Sequence, residues 1–169
     1  MRNRLAVVLA SLFAVGALVA ISSPASADAT HPSHGNIAFG VVRLDGQQEI
    51  STVTGQPGAG DQDGRGTFAF LAFDSRLCYV LTARRIATPI AAHIHAGARG
   101  TNGGIAVFLD TPTQGFSANC ITAEPDTTPN TPMILVQSEL DALIANPAGF
   151  YANVHTGDFP NGAIRGQLR

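Results

Sequence analysis

Apolar residues recur along this chain with the period of two that marks strands, in short runs parted by glycine, proline and aspartate. Residues 37–44 read as a first strand and 48–53 as a weaker one. Glycines at 55, 58, 60, 64 and 66 offer no side chain to pack, so the stretch between them is expected as a loop. Asp61 and Asp63 in that loop lack the further acceptors and distal glutamate of a calcium loop and read as a solvated turn. Residues 67–73 are apolar on both alternating faces, as in a strand buried inside a sandwich. Asp74-Ser75-Arg76 turns the chain into 77–83, a hairpin partner with Cys78, Val80 and Thr82 on one face. Residues 89–95 and 104–109 flank a glycine-rich turn at 97–103, a strand follows at 116–122, and the Thr- and Pro-rich 122–132 is a loop.

The period changes once. Leu140, Leu143 and Ile144 share a helical face, Ser138 is the expected N-cap with Asp141 three residues on, and Pro147 ends the helix at or before Asn146. A helix barely two turns long is unstable alone in water and must pack on the sheet. Residues 150–155 resume as a strand, 158–162 turn, and 163–168 close the chain. Short strands with one short helix and no βαβ alternation give an all-β fold class: a Greek-key-like antiparallel sandwich or partly closed barrel.

Upstream of this domain, Arg2 and Arg4 precede an apolar run at 5–21 and the small-x-small triplet Ala25-Ser26-Ala27. That is the form of a signal peptide, so 1–27 is expected to be cleaved rather than kept as an anchor. Residues 28–36 then form a flexible lead-in and 37–169 the domain. The product is expected to be secreted or associated with the cell envelope, with no membrane span after signal removal. The chain has no lysine and a formal net charge of −2; losing Arg2 and Arg4 leaves eight arginines against 12 acids, or −4. A dedicated nucleic-acid binder would be basic, so the expected partner is an extracellular protein or surface ligand. In an oxidising compartment, and with no Cys-x-x-Cys present, Cys78 and Cys120 predict a disulfide.

His93 and His95, two apart on a strand, present their rings on one face while Ile94 points the other way. His155 ends another strand at Asn153-Val154-His155-Thr156, and if the two strands lie side by side the three rings converge. Two readings follow. In the preferred one the imidazoles bond to backbone carbonyls, Asn153 or Asp158 and pin the nearby turn, and no cofactor is expected. In the alternative they hold copper or zinc and leave a coordination position open. Asn153, Asp158 and Arg165 are assigned to a structural brace, with Arg165 clamping Asp158 or stacking on Tyr151. No Gly-x-Ser-x-Gly elbow, spare cysteine or context-marked carboxylate pair is present, so the chain reads as non-enzymatic.

Four segments carry a resemblance: Ala92-His93-Ile94-His95-Ala96-Gly97, Gly103-Gly104-Ile105-Ala106-Val107, Phe150-Tyr151-Ala152-Asn153-Val154-His155-Thr156 and Phe159-Pro160-Asn161-Gly162-Ala163-Ile164-Arg165-Gly166-Gln167-Leu168. Together they resemble the CHRD domain, the module repeated in chordin and found singly in exported bacterial proteins. The resemblance spans residues 37–168 and implies a secreted β-sheet module. In animal chordins the module belongs to proteins that sequester growth factors; this chain shows one module without cysteine-rich neighbours, so that role is not expected to carry over. The His-x-His strand is also similar to that of copper/zinc superoxide dismutases, but the bridging histidine and zinc-site set have no counterpart here, and dismutase activity is not implied. The expected function is that of an exported binding or surface-associated module, with a copper- or zinc-binding metalloprotein as the alternative.

Overall fold

The computed structural model describes residues 36–169; the expected signal peptide and the lead-in up to 35 lie outside the described residues. Eight strands and one helix follow in order: β1 (Ile37–Asp45), β2 (Arg65–Phe73), β3 (Arg76–Arg84), β4 (Pro89–Ala96), β5 (Gly104–Leu109), β6 (Phe116–Thr122), α1 (Gln137–Ala145), β7 (Phe150–Thr156) and β8 (Ile164–Gln167). They form one sheet in the spatial order β5-β4-β7-β8-β1-β2-β3-β6, with every neighbouring pair of described register antiparallel. Of the two forms expected, the sheet takes that of a nearly closed barrel. Its free edges, β5 and β6, are tied where Ser117 Oγ donates to the Asp110 carbonyl at 2.7 Å and the Asp110 N–H to Tyr79 Oη at 2.7 Å. The chain between β6 and α1 fills the rest of the gap, with the Pro132 carbonyl accepting the Phe108 N–H at 2.9 Å.

Alternation sends one residue set inward. Phe68, Leu77, Leu81, Ile94, Val154 and Ile164 are fully buried, and α1 adds Leu140 and Leu143 to the same core. Each such side chain contributes roughly 1.5–3 kcal/mol by leaving water, which is what holds so short a helix in place. No described helix is long and apolar enough to cross a membrane.

Two local expectations are corrected. Residues 48–53 do not form a strand: the Asp45 carboxylate accepts the Gln48 N–H at 3.1 Å and caps a 3-10 turn at Gly46–Gln48, so the backbone bends where the pattern suggested extension. Ile50 makes only an isolated bridge to Pro57. The helix begins one residue before Ser138, with Val136 at the N-cap; the Ser138 N–H instead donates to the Asp126 carboxylate at 2.9 Å, an exposed side chain reaching across from the preceding loop. In the glycine-rich loop the Asp61 side chain accepts the Asp63 N–H at 3.1 Å, closing a local turn.

The disulfide joins Cys78 and Cys120, which stand directly opposite each other on β3 and β6. On a chain-entropy basis, closing a 42-residue separation stabilises the fold by roughly 3–4 kcal/mol. Reduction is expected to lower the melting temperature by about 10–15 °C, measured by circular dichroism with and without a phosphine reductant. An unchanged melt would show that the crosslink contributes nothing.

Candidate metal centre

The centre is built by register. β4 pairs with β7 so that Ala91 faces His155, His93 faces Asn153 and His95 faces Tyr151; β8 then sets Arg165 beside Asn153 and Gln167 beside Tyr151. Ala92, Ile94, Ala152 and Val154 occupy the inward positions and are fully buried, so the residues between them stand on the outer face of the barrel. That face is nonetheless covered. Asn102, in the turn between β4 and β5, donates to the Ile50 carbonyl at 3.0 Å and ties that turn to the loop after β1. Glu49 of the same loop lies against Gly162, where an added Cβ would stand 2.4 Å from Glu49 Oε1 and where φ is +132°. Only glycine supplies both the space and the conformation there. His93 and His95 are consequently buried and His155 is half-buried.

The three rings meet. Their centroids lie 4.8 Å (His93 to His155), 5.4 Å (His93 to His95) and 6.5 Å (His95 to His155) apart. One ring nitrogen of each lies within 4.8 Å of the others. His95 Nδ1 is 2.9 Å from the Gly103 carbonyl and His155 Nδ1 is 2.9 Å from the Pro160 carbonyl. A carbonyl can only accept, so both Nδ1 atoms carry the proton, and in the neutral rings both lone pairs sit on Nε2. His93 Nδ1 is 3.1 Å from His155 Nε2, either sharing a proton with it or facing a common cation. The Nε2 atoms of His93 and His95 are buried with no hydrogen-bond partner. Burial first, then the neighbouring His155 and His95, push His93 down to about 4. Burial also lowers His95 and His155. At neutral pH the imidazoles are therefore uncharged, each with one nitrogen lone pair to offer, the state a metal requires.

A second network supports the first. The Tyr151 ring lies parallel to His95 at 4.7 Å, and the Arg165 guanidinium sits 3.4 Å from the Tyr151 centroid. Since His95 and Arg165 come from strands on opposite sides of β7, the tyrosine is held between them. Tyr151 Oη accepts the Gly103 N–H at 3.3 Å, so Gly103 is fixed through both its N–H and its carbonyl. Arg165 donates to Ala98 O, Asn102 Oδ1 and Gln167 Oε1 at 3.3–3.4 Å. Burial pushes the Glu49 carboxyl up to about 8, against the opposing pull of the Arg165 charge and a hydrogen bond from Asn153.

Of the residues assigned from the sequence, His93, His95, His155 and Asn153 are brought together, and Arg165 takes the stack on Tyr151. Asp158 does not join them: it stands exposed on the β7–β8 turn, because the hairpin register points Arg165 at Tyr151 instead. Sequence reasoning missed Glu49, Asn102 and Gln167. The closest available signal was the glycines at 60 and 162, which leave room for Glu49.

An eight-stranded antiparallel barrel carrying a histidine cluster on its outer face defines a β module with a candidate ligand site. The chain belongs to the CHRD domain family, whose pattern matches residues 41–168. Neither a curated protein nor a solved structure matched it.

Proposed function

We propose that this CHRD module is an exported metal-binding protein that holds copper or zinc with His93, His95 and His155. The observation that carries the reading is the commitment of two Nδ1–H groups to the Gly103 and Pro160 carbonyls, which leaves the lone pairs of His95 and His155 on Nε2 in one corner, that of His155 facing His93 Nδ1 at 3.1 Å. Fixing a ligand ring through its distal N–H is how proteins orient metal-binding histidines. A purely structural brace accounts for those two bonds but leaves His95 Nε2 buried and unpaired, at about 1–3 kcal/mol. Imidazole donors without thiolate suit copper(II) or zinc, and three of them leave a position for water or a further ligand. Bound copper would supply a one-electron couple, and bound zinc a Lewis acid. Export is supported by the expected signal peptide, the disulfide and the family's extracellular members.

Tag-free protein stripped with chelator is expected to take up one equivalent of copper(II) or zinc by calorimetry and elemental analysis. At a hundredfold excess over Kd the metal adds about 2.7 kcal/mol of stability. His95→Ala and His155→Ala should abolish uptake, whereas replacing His31 and His34 should leave it intact. Absence of retained metal together with an unmoved melting temperature would reject the proposal.

A further inference from the structure

The half of the barrel away from the histidines has an outer face of a different kind. Register lays its side chains in rows that cross β1, β2, β3 and β6. One row reads Phe39, Leu71, Cys78, Cys120, with both cysteines in the disulfide. The next reads Val41, Ala69, Val80, Ala118. Neither contains a polar side chain, and the flanking rows carry one arginine each, Arg43 and Arg76. Phe39 is 74% exposed and Val41 61%, and between the rows runs an open groove of about 740 Å³.

We infer that this face is the contact surface of a homodimer, two copies packed sheet to sheet about a two-fold axis. Area is the first argument. The exposed parts of Ile37, Phe39, Val41, Leu71, Val80 and Phe116 amount to about 700 Å², close to the ~800 Å² per partner of a stable interface and larger than the patches most monomers leave open. Symmetry is the second. A two-fold axis brings central residues against their own copies, which is unfavourable for charged groups and favourable for uncharged apolar rows. The arginines stand in the outer rows, away from the axis. Of the groove's lining only Asn119 is both polar and exposed, and its Oδ1 already accepts the Cys120 N–H at 2.8 Å, so the groove lacks the convergent polar groups that orient a small ligand in a built pocket.

The test is sedimentation equilibrium on tag-free protein with the Cys78–Cys120 bond formed, over roughly a hundredfold range of concentration. A dimer is expected. Phe39→Glu should weaken association by at least a hundredfold, and the near-isosteric Val41→Thr/Val80→Thr pair, which preserves strand-forming shape, should weaken it while leaving circular dichroism and metal uptake unchanged. Val53→Glu, at an exposed apolar position on a loop, should have no effect on association. A monomer at the highest concentration, or a dimer indifferent to both sets of variants, would overturn the inference. So would a monomer that floats with neutral phospholipid vesicles, which would assign the face to a membrane.

Discussion

Replacing Arg165 by alanine is expected to lower the unfolding free energy by about 3–5 kcal/mol and to weaken metal binding about tenfold. Arg165 is the largest fully buried side chain of the domain, at 1% exposure. Its removal opens a cavity, strips one face of Tyr151, and leaves Ala98 O, Asn102 Oδ1 and Gln167 Oε1 without their donor. The effect reaches the histidines because Tyr151 is stacked on His95 and its hydroxyl holds Gly103, the residue whose carbonyl sets the His95 tautomer. Arg165→Lys should recover little of either loss. An ammonium cannot lie flat on the ring while serving three acceptors, so a substitution that keeps the charge still discards the geometry. Urea denaturation and metal calorimetry on the two variants check this. Stability within 1 kcal/mol of wild type in Arg165→Ala would reduce the arginine to a bystander.

The elements that depend on local alternation were legible. Residues 104–109 and 116–122 are strands with the boundaries their pattern gives, and the two cysteines fall on facing strands. His93 and His95 share a face because a strand repeats every two residues, a property their spacing already contains. The approach of His155 depends on a strand pairing across some 60 residues of chain, which spacing can suggest but not fix. Residues 67–73 show the limit of reading burial from composition. Apolar on both faces, they were expected to be covered on both, yet only Phe68, Phe70 and Ala72 face the core, while Leu71 is 42% exposed. The apolar pattern was right and its cause was not, since among the described residues the second face carries no covering layer. Glu49 fails in the opposite direction. It lies in a polar stretch and gives no sign of burial; the close packing of Gly60 and Gly162, far apart in sequence, encloses it.

Metal-free protein is expected to be most stable near pH 7 and to lose stability on either side, and Glu49 governs the alkaline side. Its carboxyl titrates at about 8 in the fold against an ordinary 4.5. Between those values the native state keeps a proton that the unfolded chain has released, so stability falls by about 1.4 kcal/mol per pH unit and levels off above 8. The histidines act with opposite sign. Their folded values lie below the ordinary 6.5, with His93 at about 4. In that window the unfolded chain binds protons that the buried rings refuse, so stability rises with pH and is fully regained only about one unit above 6.5. Three rings outweigh one carboxyl on the acid side, the two effects balance near pH 7, and the carboxyl dominates above that. Because the unfolded rings are still half protonated at 6.5, their remaining gain offsets much of the carboxyl's loss there, and the net decline from pH 6.5 to 8 is about 0.5 kcal/mol. Glu49→Gln keeps the volume and the hydrogen bonding of the neutral acid but cannot ionise, so it should flatten the alkaline decline and leave the acid one in place. Urea denaturation at pH 5, 6.5, 8 and 9 in the presence of chelator reads both sides. A Glu49→Gln protein that still loses stability between 6.5 and 8 as the wild type does would mean that Glu49 is already ionised in the fold and paired with Arg165.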